Sequence, residues 1–293
     1  MVTVGNMTSD DTRFDSAGSA IPTIVLSDGR QIPQLGFGVY KVEPDEAQRV
    51  VEEALTVGYR SIDTATLYGN EDGVGRALAN SGLRRNEVFV TTKLWNDDQG
   101  YDETLRAFDA SMNRLGLDHL DLYLVHWPVP SLGRYVDSFR ALQKLRDDGR
   151  VKSIGVSNFT EEAIERLIAE TGEVPALNQI ELHPGFTQTE LRAYHMGRGI
   201  ATEAWAPLGQ GSVLGDPTIE AIARTHGRTP AQIVLRWHLQ IGTIAIPKSV
   251  TPSRIAENFE VMGFRLGPDE IDAIDGLRFD VGRLGPDPET FGA

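Results

Sequence analysis

The chain has no cysteine at any of its 293 positions. Disulfides, thiolate metal sites and cysteine nucleophiles are therefore excluded, and a cytoplasmic, reducing compartment is expected. Long apolar runs are missing too. None approaches the ~18 residues that a membrane span requires. The first twenty residues, Met1 to Ala20, lack a basic start followed by an apolar stretch. They do not read as a secretory signal, and their Ser, Asp, Thr and Gly predict a disordered tail. Positive charge is scarce: 28 Lys and Arg stand against 42 Asp and Glu, a formal net charge of −14. Such a surface repels nucleic acid and anionic membrane, so neither is expected as a partner. It also repels a phosphorylated ligand at long range. Any such ligand needs a local positive pocket.

Hydrophobic types make up 40% of the chain, enough to bury a large core. "IVLSDGRQIPQLG" (24–36) alternates apolar and polar residues around Asp28-Gly29, a hairpin signal. After it one pattern recurs: a short apolar stretch, a polar turn, then a segment of helical periodicity. The strand candidates are 34–39, 61–63, 88–93, 120–126, 153–158, 176–182, 201–206 and 243–248. Helical segments include 45–57, 71–81, 101–115, 136–148, 160–171, 188–197, 229–240 and 252–262. Thr160 before Glu161 and Glu162, and Pro230 in "TPAQ", are local start signals.

Strands alternating with helices imply a parallel sheet, and eight units in about 260 residues match a closed (β/α)8 TIM barrel. The open doubly wound alternative usually carries G-x-G-x-x-G after its first strand. Here "GFGVYK" (36–41) supplies no third glycine in register. The chain thus reads as an α/β TIM barrel with an N-terminal β-hairpin, one domain over 21–293, with a Pro/Gly-rich tail from about 279.

In a barrel the C-terminal strand ends share one face, where chemistry sits. Those ends supply Asp63 with Tyr68 in its loop, then Lys93, His126, Ser157, Asn158, Gln179, Trp205, Lys248 and Ser249, with Glu181 and His183 near the sixth. Taken singly, each has an ordinary reading as a cap, packing residue or snorkelling charge. Together they make a coherent acid. A free phenol has a pKa of about 10. Lowering it by about three units takes roughly 4 kcal/mol, which a lysine ammonium about 4 Å away supplies at an effective dielectric near 20. Burial opposes this by raising the phenol and neutralising the lysine, and an adjacent carboxylate keeps the lysine charged. Asp63, Lys93 and Tyr68 therefore read as a general-acid unit, with His126 orienting a substrate oxygen. A proton donor aimed at an oxygen suggests carbonyl reduction, and the hydride must come from a cofactor.

"GYRSIDTATLYGNE" (58–71), "LVHWP" (124–128), "GVSNF" (155–159), "NQIELHP" (178–184) and "IPKSVTPSRIAEN" (246–258), in this order, resemble the aldo-keto reductases, nearest the bacterial diketogluconate-reductase-like members. The resemblance implies NADPH-dependent reduction of small aldehydes, ketones, dicarbonyls and keto sugars, with Asp63, Tyr68, Lys93 and His126 as the tetrad. It implies cofactor contacts from Gly38, Val39, Ser157, Asn158, Gln179, Trp205, Leu208, Lys248, Ser249, Val250, Arg254, Glu257 and Asn258. Of these, Trp205 matches the aromatic that stacks on the nicotinamide, and Lys248, Ser249 and Arg254 match the cluster around the 2′-phosphate. Val39 and Ala206 depart from the hydroxyl residues common at those positions, which bears on cofactor affinity and not on the tetrad.

Tyr40, Trp95, Trp127 and Arg283 are expected around the substrate, Arg283 as an attractor of acidic or oxidised carbonyls. No metal is expected, and the chain is expected to act as a monomer. Two rivals remain at this point. One is a Schiff-base aldolase using Lys93, disfavoured by the adjacent Asp63. The other is an NADPH-binding regulatory barrel with negligible turnover.

Overall fold

In the computed structural model, which describes residues 21–278 and 282–292, a hairpin comes first. The strands β1 (Thr23–Val25) and β2 (Gln31–Pro33) pair antiparallel, with Ile24 opposite Ile32. Asp28-Gly29 forms the turn, and Gly29 has φ 82°, where a side chain would be strained. The tail expected over Met1 to Ala20 lies outside the described residues.

Eight parallel strands follow: β3 (Phe37–Gly38), β4 (Ser61–Asp63), β5 (Phe89–Leu94), β6 (Leu120–Val125), β7 (Val151–Ser157), β8 (Leu177–Glu181), β9 (Ala201–Trp205) and β10 (Ile244–Ala245). They hydrogen-bond in chain order. The ring closes where Leu35 bridges Ala245, Gly36 N donates to Ala245 O (2.9 Å) and Gly38 N donates to Pro247 O (3.1 Å). This is the expected barrel. The two closing strands are shorter than their apolar runs suggested. Closure passes instead through single bonds of the flanking loops, and Pro247 has no N–H to extend a ladder.

Ten helices are present among the described residues: α1 (Ala47–Val57), α2 (Glu71–Asn80), α3 (Tyr101–Leu115), α4 (Tyr135–Asp147), α5 (Glu161–Thr171), α6 (Thr189–Arg198), α7 (Pro217–His226), α8 (Pro230–Gln240), α9 (Pro252–Phe259) and α10 (Pro268–Asp275). Most bury apolar residues on one face, as α1 does with Val50, Val51, Ala54 and Leu55. The neighbours α2 and α3 approach so closely that a Cβ at Gly75 would lie 2.4 Å from Leu115 O. Two helices, α7 and α10, were not expected, because strict strand–helix alternation has no place for them. Their local signals are present nonetheless. Asp216 accepts from Thr218 N with Pro217 in the first turn, and Glu270 reaches back to Gly267 N.

The hairpin plugs one end of the barrel. Leu26 and Ile32 pack with Leu122, Leu177 and Ile244, which lie in the first halves of their strands. A cleft of about 380 Å³ also opens at that end, lined in part by Arg30, Arg60, Asp121 and Lys152. Its charges are partly spent on each other, with Lys152 Nζ 2.9 Å from Asp121 Oδ1. The opposite end, where the strands terminate, carries the side chains picked out above.

Candidate active site

Strand register brings the polar side chains together. Asp63 ends β4, and Lys93 lies near the end of the neighbouring β5 with its side chain 0% exposed. A buried ammonium must have its hydrogens taken up. Lys93 Nζ donates to Asp63 Oδ1 (2.6 Å), Thr64 O (2.9 Å) and Tyr68 Oη (3.3 Å). Burial pulls the ammonium down, but Asp63 and Tyr68 outweigh it, so the Lys93 pKa is raised and the lysine stays cationic.

Tyr68 closes a single 3₁₀ turn, Thr66–Tyr68, directly after β4. Its ring packs against Tyr40 at 5.1 Å and edge-on to His126 at 5.9 Å. The phenol departs from the expected downward shift. Burial pushes it up to about 12; Lys93 lowers it, and Asp63 adds to the rise. Burial is the larger cause, and the Lys93 field that opposes it is weakened because Asp63 holds that charge closest and Tyr68 receives the longest of its three bonds. Tyr68 therefore keeps its proton across the physiological range.

His126 follows β6, anchored by its own N–H to Leu94 O at 3.2 Å. Its ring meets Trp95 edge-on at 5.3 Å, and its Nδ1 is buried without a partner among the described residues. Burial first, and the Lys93 charge second, hold the imidazole well below its ordinary pKa, so it is neutral.

A second arc runs along β7 to β9. Asn158 sits at φ 62°, a left-handed conformation that asparagine tolerates. Its Nδ2 donates to His126 O and Ser157 Oγ, both at 3.0 Å, and its Oδ1 accepts from Trp205 Nε1 at 2.7 Å. The indole is thereby fixed at the mouth. Gln179 Nε2 spends both hydrogens on carboxyl groups, Asp63 Oδ2 (3.0 Å) and Glu203 Oε2 (2.7 Å).

The closing arc holds the remaining expected residues. Gly38 allows the β3 backbone to approach Ile246 O, which a Cβ would meet at 3.2 Å. Val39 is buried, whereas Leu208 and Val250 are partly so. Lys248 and Arg254 are exposed and form no ion pair among the described residues, and Ser249 lies between them in sequence, at the approach to α9. Asn258 is buried in α9, and Glu257 accepts from Thr229 Oγ1 at 2.7 Å.

Around the mouth, Tyr40 is 49% exposed, Trp127 is buried and Trp95 is partly so. Arg283 lies with its guanidinium 4.9 Å over the Phe186 ring. Sequence reading missed Phe291 and Glu203, and named Glu181 at a strand end without its contact to the tail. Phe291, from the polar tail, stacks at 4.5 Å on Trp127 and 6.3 Å from Trp95. Glu181 pins that tail, accepting from Leu284 N (2.6 Å), Gly285 N (2.8 Å) and His183 Nε2 (3.0 Å). Glu203 hides in the middle of an apolar strand. A lone aromatic in a Pro/Gly-rich segment was the available signal for Phe291.

The described residues contain no group of three or more His, Asp or Glu able to hold a metal, and no helix long and apolar enough to cross a membrane.

Comparison with known proteins adds to this geometry. The model of the Aldo/keto reductase family matches residues 34–278. An aldo-keto reductase of Mycolicibacterium smegmatis is 58% identical over 270 residues, covering 92% of this chain and 98% of that protein. The methylglyoxal reductase DkgA of Salmonella typhimurium is 53% identical over 277 residues, covering 93% and 99%. The crystal structure of a Gox0644 point mutant in complex with NADPH has a TM-score of 0.89 at 53% identity, covering 93% of this chain and 99% of that one.

Proposed function

Because the chain belongs to the Aldo/keto reductase family, we propose that it uses NADPH to reduce small aldehydes and ketones, methylglyoxal-like dicarbonyls and keto sugars among them, with Tyr68 as the proton donor. One observation carries this reading: a wholly buried ammonium, Lys93, touches both a carboxylate and the phenol.

The residues suit the cofactor. Lys248 and Arg254 are unpaired cations among the described residues, near the start of α9, as a phosphate at a helix N-terminus requires. They form the local positive pocket that a chain of charge −14 needs. Trp205, fixed by Asn158, offers an aromatic face, and Gln179 presents only its carbonyl oxygen, since both amide hydrogens are taken. When bound, NADPH supplies the hydride.

The chain's own groups supply the proton. Tyr68 holds it until negative charge develops on the substrate oxygen, and the Lys93 ammonium then stabilises the phenolate left behind. Asp63 keeps Lys93 cationic throughout. Neutral His126 orients the substrate oxygen through a ring N–H without adding charge, and Trp95, Trp127 and Phe291 exclude water from one side.

The test is loss of reduced-nicotinamide absorbance with purified protein, NADPH and a panel of aldehydes, dicarbonyls and keto sugars. Turnover of several panel members supports the reading. Binding of NADPH with no turnover of any of them would leave a regulatory barrel instead, and a borohydride-trapped adduct on Lys93 would indicate an aldolase.

A further inference from the structure

Glu203 has no role in the chemistry described so far, yet it lies in the same network. It occupies the middle of β9, 1% exposed, and its only side-chain hydrogen bond among the described residues is the one accepted from Gln179 Nε2 at 2.7 Å. The other hydrogen of that amide goes to Asp63 Oδ2 at 3.0 Å. Two carboxyl groups thus share one amide and one lysine, and the lysine is already committed to Asp63 at 2.6 Å. The charged groups acting on Glu203 are Asp63 from β4 and Lys93 from β5. Its partners across β8 and β10 are Gln179 and Ile244, which bear no charge. Glu181 and His183, nearer the mouth, are bonded to each other. With Lys93 and Asp63 cancelling, an ionised Glu203 leaves one uncompensated buried negative charge, which burial strongly disfavours. The carboxyl is accordingly raised to about 8, by burial first and by Asp63 second.

Two residues further along the same strand, on the same face, stands Trp205. If Trp205 takes the nicotinamide as proposed above, the ring lies roughly 7 Å along the strand from Glu203, two residues at about 3.3 Å each. That ring is neutral when reduced and cationic when oxidised. We propose that Glu203 ionises in step with the oxidation state of the bound nicotinamide: protonated beneath NADPH, carboxylate beneath NADP⁺. The balance is simple. Oxidised cofactor binds, Glu203 releases one proton to solvent, and the new negative charge offsets the new positive one. Release of oxidised cofactor takes the proton back. This rests on the nicotinamide site proposed above.

A unit opposite charge roughly 7 Å away, at an effective dielectric near 20, lowers a carboxyl pKa by about one to two units. The sign follows by linkage: raising pH ionises Glu203, which favours NADP⁺ over NADPH. The Kd ratio of NADP⁺ to NADPH should fall about tenfold or more between about pH 6 and about pH 9 in the wild type. It should stay within about twofold in Glu203→Gln over the same range, because an amide cannot titrate there. Titration of each redox form by calorimetry, in buffers of different ionisation enthalpy, should show excess proton release only for NADP⁺ with wild type. The 2′-phosphate titrates equally in both forms and cancels from the ratio.

A pH-independent ratio in wild type, or an equal slope in Glu203→Gln, overturns the inference while leaving the cofactor site standing. Failure of either nucleotide to bind overturns the site itself. If Glu203→Gln does not fold, infrared difference spectra of the wild type decide. Loss of a protonated-carboxyl carbonyl band on binding NADP⁺ but not NADPH supports the inference; identical spectra refute it.

Discussion

Lys93 has no solvent contact, so its charge survives only because Asp63 faces it. Removing one member of a buried pair leaves the other uncompensated and costs about 3–5 kcal/mol. Lys93→Met is therefore expected to lower the unfolding free energy by about that amount in chemical denaturation. Lys93→Met with Asp63→Asn should recover most of the stability and none of the turnover, which separates the two roles of the pair. Glu203 gives a second expectation. Its folded pKa, about 8, lies above the ordinary glutamate value, so its contribution to stability is complete below that ordinary value, falls as pH rises from there and is gone once pH has passed about 8. Unfolding of Glu203→Gln should lack that decline between acid pH and about pH 8. Asp63, Lys93 and His126 were legible in the sequence because a polar residue closing an apolar strand has one place to go in a barrel. The balance of fields on Tyr68 was not. Sequence shows that a lysine and a carboxylate are near, and only coordinates show that burial of the phenol outweighs the lysine's field. Glu203 was hidden because "ATEAWA" reads as a strand whichever way its glutamate points.

Among elements, the C-terminal segment across the barrel mouth was the least readable. Its composition predicts a tail, and nothing local says that Leu284 and Gly285 donate to a carboxylate on β8. Strands and most helices were readable from period and caps, while α7 and α10 required trusting local signals over the alternation rule. The segment is held by charge-assisted hydrogen bonds, each worth about 1.5–3 kcal/mol. Burial raises Glu181, but His183, Leu284 and Gly285 outweigh it and leave its pKa lowered, so the anchor persists until pH falls below the usual glutamate range. Glu181→Ala should speed amide exchange at Leu284 and Gly285 by about tenfold or more, with β5 and β6 unchanged. Gly285→Ala acts from the other side. Its Cβ would lie 2.4 Å from the Trp205 ring, so the segment or the indole must shift, and NADPH-dependent quenching of tryptophan fluorescence should change.

At the scale of the whole molecule, a net charge of −14 surrounds one proposed anion pocket. Hydrogen bonds to charged groups contribute about 1.5–3 kcal/mol, so Arg254→Ala should weaken NADPH binding by about ten- to a hundredfold. Affinity for NADH, which lacks the 2′-phosphate, should change by less than about threefold. Equal losses for both cofactors would place Arg254 elsewhere. The barrel brings the side chains of distant strand ends together around Tyr68, and turnover is where the proposed role of that arrangement is tested. The most direct measurement is NADPH oxidation by Tyr68→Phe beside its NADPH affinity. A fall in kcat of about a hundredfold or more with Kd within about twofold is expected if the phenol supplies the proton as proposed, because general-acid catalysis contributes at least that much. Turnover close to wild type would contradict Tyr68 as the donor.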